Sequence, residues 1–180
     1  MSYCSFCKDR DESDVHRIYH DQYYGFSIEE DDELFGRLIL EINQAGLSWN
    51  TILLKQDNFR KAFDDYSIEK IAQYDDEKIA ELLANSGIIR NNLKIKSVIH
   101  NAQQILQLKA EFGSFKQWLD HHHPKSKEEW TKLFKKTFKF VGGEIVNEFL
   151  MSTGYLKGAH EESCTIFVVI EKEQPKWLNI

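Results

Sequence analysis

The chain contains few of the residues and segments that mark proteins outside the ordinary globular class. Only two prolines occur in 180 residues, which argues against a proline-rich linker or a disordered chain. No apolar run reaches the length of about 18 residues that a membrane-spanning helix needs. Three cysteines are too few for a disulfide framework and are more typical of free thiols or metal ligands. The polar first ten residues lack the apolar core of a secretory signal, so we expect a cytoplasmic protein.

Positive charge is also scarce. Lysine and arginine total 23 against 29 aspartate and glutamate residues, and the formal net charge is -6. Because phosphate binding depends on Lys and Arg, this balance argues mildly against a nucleic-acid partner. Basic residues nevertheless cluster at 90–96 and 132–139. A solvated helical face explains either cluster about as well as a DNA-binding surface does.

Apolar residues recur at helical spacing along most of the chain. Leu34, Leu38 and Ile42 fall four apart, on one face of a helix that Asp31 and Asp32 can cap. Similar patterns, the first of them capped by Ser48, predict further helices over 49–63, 68–72, 79–84, 91–108, 115–119, 127–136 and 144–153. In the 91–108 helix, Leu93 is expected to face inward.

Three stretches have other patterns. His121–His123 before Pro124 is typical of a loop, and Gly142–Gly143 of a hairpin before the 144–153 helix. Thr165–Ile170 is β-like and predicts a short edge strand or an extended tail. The sequence therefore predicts a compact all-α fold, a single domain over residues 1–180 with 165–180 as a C-terminal tail.

Potential metal ligands lie near both ends of the chain. Cys4 and His20 are near the start, and His160 and Cys164 are four residues apart, on one face of a helical turn. Together they would form a closed Cys2His2 zinc site that joins the two termini, structural because no coordination position stays open. Cys7 is an alternative ligand, since it completes a CxxC pair. A buried thiol with two ordinary histidines explains the same spacing.

Glu41 falls on the apolar stripe of its predicted helix. An unpaired carboxylate is costly to bury, so the side chain must be paired, hydrogen-bonded or exposed to a cavity. One interpretation is an internal salt bridge to Arg37, one turn away. The other is a pocket acceptor for an amine or a cation of a ligand.

The segment Gln44–Trp49 forms a small-residue turn with an apolar tip. Leu47 and Trp49 are core residues in one interpretation. In the other, Leu47 is a wedge for an opened base step and Trp49 a stacking wall.

Several short segments occur in an order that is typical of one enzyme family. They are Tyr19-His20-Asp21 with Gly25, Leu40-Glu41, Gln44–Trp49, Thr51–Leu53, Gly87–Asn91 with Lys94-Ile95, Asn101-Ala102, Phe138–Gly142, and the spaced His160 and Cys164. Over about residues 4 to 164 the chain resembles the 3-methyladenine DNA glycosylase I family.

The resemblance implies a helix-hairpin-helix fold and a structural zinc ion held by Cys4, His20, His160 and Cys164. It also implies removal of 3-methyladenine from alkylated double-stranded DNA by a monomeric, monofunctional enzyme. The free base 3-methyladenine would be the product.

The resemblance also assigns roles to residues of the pocket. Glu41 would bind the adenine edge of the base, and Tyr19 and Trp49 would enclose it. Phe6 and Tyr24 would lie at the pocket wall.

For DNA contacts, the resemblance points to the turn and the hairpin. Leu47, beside Gly46, would fill the gap left in the duplex. The hairpin would present backbone N–H groups to a phosphate through its residues Phe140, Gly142 and Gly143.

Some positions depart from the family pattern. Phe6 and Tyr24 replace tryptophans, Gly143-Glu144 replaces small hydroxyl residues, and Ala159 replaces an aspartate. Glu144 and Glu148 place acids where DNA is expected. Two alternatives follow: a catalytically weak DNA- or base-binding protein with the same fold, and a glycosylase with a shifted substrate range.

Overall fold

The computed structural model describes residues 2–179, and every regular element among them is helical. Twelve α-helices occur in this range: α1 Tyr3–Cys7, α2 Val15–Gln22, α3 Asp31–Gln44, α4 Trp49–Leu53, α5 Gln56–Ala62, α6 Ile68–Ile71, α7 Asp76–Ala84, α8 Asn92–Phe112, α9 Phe115–His122, α10 Lys127–Thr137, α11 Gly143–Ser152 and α12 Thr165–Lys172. Short 3-10 turns lie at Asp64–Tyr66 and Lys176–Leu178. The predicted all-α class is confirmed. None of the helices in residues 2–179 has the length and apolar character needed to cross a membrane.

Helix α3 forms the centre of the molecule. Every residue from Leu34 to Asn43 is buried, which is typical of a helix surrounded by others rather than one lying on a surface. It packs against α8, α9 and α11, and its apolar side chains belong to the main hydrophobic core. The polar side chains between Leu34 and Asn43 therefore lie inside the protein, which gives Glu41 its environment.

The sequence predicts that Asp31 and Asp32 cap α3. In the structure they cap the neighbouring helices α9 and α6 instead. Glu30 occupies the N-cap position, and both aspartates fall in the first turn. The Asp31 carboxylate accepts hydrogen bonds from the backbone N–H groups of Phe115 and Lys116, each 2.9 Å long, at the start of α9. Asp32 accepts one from Ile68 N–H at the start of α6. Sequence proximity predicted capping, but tertiary packing decided which helix is capped.

The C-terminal segment corrects one prediction. Thr165–Lys172 is a helix rather than a strand or an extended tail. Phe167 and Ile170, three residues apart, share a helical face and pack with Trp177 and Phe26 in a small separate core. No strand in residues 2–179 is available to pair with this segment, whereas a helix satisfies its own backbone hydrogen bonds. Position 180, the last of the expected tail, lies outside the described residues.

Two smaller predictions were also wrong. Leu93 is 68% exposed, because the helix α8 turns its neighbours Ile95 and Val98 toward the core instead. His121 and His122 belong to the last turn of α9 rather than to a loop. In the part of the chain that the structure describes, they belong to no potential metal-binding group.

Candidate functional site

Four potential ligand atoms from the two ends of the chain converge on one point. Cys4 Sγ lies 3.6 Å from His160 Nδ1, and Cys164 Sγ lies 3.7 Å from the same nitrogen. His20 Nε2 is 3.8 Å from Cys164 Sγ, and all four atoms lie within 4.8 Å of one another. Tetrahedral zinc, with bonds of about 2.3 Å to sulfur and about 2.0 Å to nitrogen, requires sulfur–nitrogen separations of about 3.6 Å. The donor set and its spacing therefore fit a zinc ion.

Hydrogen bonds at the outer nitrogens orient both imidazole rings toward this point. His20 Nδ1 lies 2.6 Å from the Asp21 carboxylate, and His160 Nε2 lies 2.7 Å from the carbonyl oxygen of Tyr24. With the proton on the outer nitrogen, each ring turns a lone pair inward, as metal-bound histidines do. Cys7 is not a member of the group, because its thiol points to the carbonyl oxygen of His16.

Burial raises the pKa of the Cys4 thiol to about 11, and the nearby Cys164 adds to the rise. Without a cation, the Cys4 sulfur therefore favours the neutral thiol form. A divalent cation would stabilise the thiolates instead, since metal binding and thiol deprotonation are coupled.

A cavity of about 400 Å³ lies beside this cluster, between α2, α3 and α11. Aromatic and acidic side chains share its wall. The lining residues are Tyr3, Tyr19, Tyr24, Glu41, Gln44, Trp49, Glu144 and Glu148.

Glu41 extends from the buried helix α3 into this cavity. It is only 4% exposed, and burial raises the pKa of its carboxyl group to about 8. The charge of Arg37 opposes that rise, and the charge of Glu148 adds to it. Arg37 forms no salt bridge with Glu41, because its guanidinium donates to Tyr19 Oη and to the Ser152 carbonyl oxygen, both at 3.2 Å. The salt-bridge interpretation was therefore wrong, and the carboxylate faces a cavity.

The aromatic walls pack against one another around this carboxylate. The ring of Tyr19 lies 5.1 Å from that of Trp49 and 5.5 Å from that of Tyr24, measured between centroids. The Trp49 indole N–H is buried and has no hydrogen-bond partner among residues 2–179. Tyr24 Oη donates to a carboxylate oxygen of Glu148 at 3.1 Å. The cavity thus combines electron-rich ring faces with carboxylates, a setting that attracts cations.

The structure places Phe6 away from the cavity lining. Phe6 is 37% exposed and stacks on Tyr3 at 6.1 Å, with the Arg10 guanidinium over its ring. Tyr3 lines the cavity instead, and its hydroxyl lies 3.0 Å from His16 Nδ1. Tyr3 was not predictable from the sequence, because the packing of the short helix α1 determines which of its side chains face the cavity.

Gln44 and Glu148 also line the cavity, a role that their sequence patterns do not predict. The sequence places Gln44 in the small-residue turn and predicts that Glu148 is an acid facing DNA. A sequence clue existed for Glu148, which interrupts the apolar pattern between Val146 and Phe149 in α11.

Two exposed loops flank the cavity, and both are fixed by the long helix α8. At the first loop, Lys94 Nζ donates to the carbonyl oxygens of Asn43 and Ala45, at 2.8 and 2.7 Å. Gly46 there adopts a φ of 80°, and the Leu47 side chain projects 38% exposed.

At the second loop, the Asn101 side chain exchanges two hydrogen bonds with the Lys139 backbone. The next residue, Phe140, is 37% exposed and has a φ of 57°. A side chain added at Gly142 would meet nothing within 4 Å, so the backbone before α11 is open to a partner, and Gly143 follows as the first residue of that helix.

Another cavity, of about 360 Å³, lies next to α3 and shares Tyr19 with the first cavity. Its acid Glu33 pairs with Arg60 through two hydrogen bonds of 2.8 Å. The cavity at Glu41 is therefore the better candidate for an active site, because its deepest carboxylate has no such partner.

Comparison with known proteins agrees with this arrangement. The family model described as methyladenine glycosylase matches residues 9–132. DNA-3-methyladenine glycosylase 1 of Escherichia coli (strain K12) is 32% identical over 168 residues, which cover 83% of this chain and 89% of that protein.

Solved structures of known enzymes share the fold. A variant of 3-methyladenine DNA glycosylase I in complex with 3-methyladenine superposes with a TM-score of 0.81 and 29% identity, covering 92% of this chain and 97% of the other. The enzyme from Staphylococcus aureus gives 0.80 and 28% with the same coverage. The resemblance inferred from the sequence is thereby confirmed, and the chain belongs to the methyladenine glycosylase family.

Proposed function

We propose that this protein is a monofunctional DNA glycosylase that releases 3-methyladenine from alkylated double-stranded DNA. The observation that carries the proposal is Glu41, a buried carboxylate without a salt-bridge partner in a cavity walled by tyrosines and a tryptophan. Relatives of the same family are named for this activity, and one was solved with the free base bound.

The chemistry of the lesion matches these parts. Methylation at N3 makes the adenine a cation and weakens its bond to the sugar. The enzyme must turn the nucleotide out of the duplex, at a cost of a few kcal/mol. Tyr19, Tyr24 and Trp49 would then offer ring faces to the cation, and Glu41 would hold its edge by charge and hydrogen bonding.

Base release needs only water as the co-reactant. Water adds to the sugar C1′ and loses a proton, while the electron pair of the breaking C1′–N bond neutralises the departing base. No lysine is among the residues that line the cavity, so no amine is in place to attack the sugar. We therefore expect base removal without strand cleavage.

For DNA binding, we propose that the two loops held by α8 contact the duplex. Leu47 would fill the space left by the extruded nucleotide, and the turn at Gly46 would let it project. The helices α10 and α11 with the loop 138–142 would act as a helix-hairpin-helix motif. Backbone N–H groups at Phe140, Gly142 and Gly143 would face a phosphate.

The zinc ion would be structural. Cys4, His20, His160 and Cys164 use all four tetrahedral positions, so the ion would stabilise the fold and take no part in the reaction. Cytoplasmic location and a monomeric state stay predictions.

Glu41→Gln tests the proposal most directly. We expect the unaltered protein to release free 3-methyladenine from N-methylated DNA, detected by chromatography. The variant should be slower by about 100-fold or more, because an amide cannot offer charge to the cation. Glu33→Gln, which alters an acid outside the cavity, is the matched control.

One outcome would contradict the proposal, and a binding measurement would then identify its replacement. Release no faster than the uncatalysed background would exclude glycosylase activity. If the protein then still bound free 3-methyladenine, the base-binding alternative would replace the enzyme, consistent with acids at Glu144 and Glu148 where DNA should approach.

A further inference from the structure

The cavity holds a second carboxylate in addition to Glu41. Glu148, on α11, lines the cavity that Glu41 enters from α3. The charge of Glu148 raises the pKa of Glu41, so the two acids interact through the cavity. Two carboxylates that share one enclosed space repel each other, and a cation between them removes the repulsion.

Tyr24 fixes the position of Glu148. Its hydroxyl donates to Glu148 at 3.1 Å, and its ring is 9% exposed and packed edge-on against Tyr3 at 5.6 Å. The hydrogen bond joins two residues that are 124 positions apart in sequence. Where the family pattern has a tryptophan, this chain therefore has a phenol that holds an acid.

Glu148 has no cationic partner of its own. No salt bridge among residues 2–179 includes it, and the nearby Lys127 pairs with the exposed Glu144 at 3.1 Å. Burial raises the pKa of Glu148, the charge of Glu144 adds to the rise, and the bond from Tyr24 opposes it. The groups that face it are thus acids and phenols, apart from the outlying Lys127.

We propose that Glu148, held by Tyr24, is a specificity-determining residue that makes this cavity selective for purine bases carrying a positive charge. The inference rests on the proposed function and narrows its substrate class. N-alkylated purines that are cations in DNA would gain from both carboxylates. Neutral purines of the same shape would leave the repulsion between Glu41 and Glu148 in place.

Ligand binding by the whole protein tests this without any DNA. The cationic ligand is 3,9-dimethyladeninium, whose 9-methyl group stands for the sugar. The neutral ligand is free 3-methyladenine. Both ligands are measured at about pH 8.5, above the pKa of about 8 that Glu41 has in the folded protein. Quenching of tryptophan fluorescence, supported by calorimetry, gives both dissociation constants.

We expect the unaltered protein to prefer the cation. Glu148→Gln should weaken cation binding about tenfold and neutral binding less than about twofold, since only the charge is removed. Glu148→Asp should keep most of the preference. Tyr24→Phe should lose part of it, because the carboxylate stays but its position loosens.

Glu81→Gln, an exposed acid on α7, should change neither constant. Retained binding of neutral 3-methyladenine shows that a variant is folded. Equal weakening of both ligands by Glu148→Gln, or no change in either, would overturn the inference while the glycosylase proposal stands. Failure of the unaltered protein to bind either ligand or to release 3-methyladenine would overturn the proposed function itself.

Discussion

At the scale of single residues, Glu41 has its carboxyl group at a buried position that disfavours the charged form. The pKa of Glu41 rises from an ordinary value of 4.5 to about 8 in the folded protein. Between those values the folded chain holds a proton that the unfolded chain releases. The free energy of unfolding must therefore fall as the pH rises through this window.

The prediction that follows concerns stability rather than activity. Glu41→Gln should be more stable than the unaltered protein near pH 9, on the order of a few kcal/mol, and nearly equal to it near pH 4.5. Chemical denaturation at several pH values measures the difference, with Glu33→Gln as the control. A difference that does not change with pH would contradict the burial of an ionisable Glu41.

At the scale of elements, α8 sets the distance between the two exposed loops. Lys94 is 5% exposed, and its ammonium group donates hydrogen bonds to the carbonyl oxygens of Asn43 and Ala45 rather than to solvent. Asn101, two turns further along the same face, holds the backbone of Lys139. Both loops of the proposed DNA surface are thereby attached to one rigid helix.

Lys94→Met should weaken duplex DNA binding about tenfold while changing the affinity for free 3-methyladenine much less, because the turn at Leu47 loses its anchor. Fluorescence anisotropy with a duplex containing an abasic analogue measures the first, and tryptophan quenching the second. The methionine keeps most of the apolar stem, so the core should remain packed.

The salt dependence of DNA binding distinguishes an anchoring role of Lys94 from a direct contact with a phosphate. Lys94→Met should leave the slope of log affinity against log salt unchanged, since a lysine on a phosphate contributes a slope of about one. Lys96→Met, exposed on the same helix, is the matched control for the loss of charge. A slope that drops for Lys94→Met would place that lysine on DNA and contradict the anchoring role.

At the scale of the whole molecule, the Cys4, His20, His160 and Cys164 cluster connects the two ends of the chain. Cys4 and His160, 156 residues apart in sequence, bring potential ligand atoms to within 3.6 Å of each other. His160 also binds the Tyr24 backbone, so the cluster supports one wall of the cavity. Loss of the metal should therefore loosen the cavity as well as the termini.

We expect one zinc ion per chain and a clear drop in melting temperature on chelation. Cys164→Ser should abolish zinc binding, and Cys7→Ser should retain it, because the Cys7 thiol points away to His16. Elemental analysis and thermal unfolding check both. Zinc lost in Cys7→Ser but kept in His20→Ala would contradict this ligand set.

Local patterns made much of the fold predictable. Helical spacing identified the central helix through Leu34, Leu38 and Ile42, and Ser48 caps the helix α4 as expected. The four members of the Cys/His cluster were identified from ligand chemistry and the family pattern. These features depend on neighbours in sequence or on residue type, which is why the sequence shows them.

Tertiary packing decided the rest. The sequence by itself determined the all-α class and the family, and it identified Glu41 as a candidate residue of the pocket. Only the fold turned Thr165–Lys172 into a helix, put Tyr3 rather than Phe6 at the cavity wall, and brought Glu148 to Tyr24. The physical reason is the same in each case: the deciding partner is distant in sequence, and burial against that partner outweighs local preference.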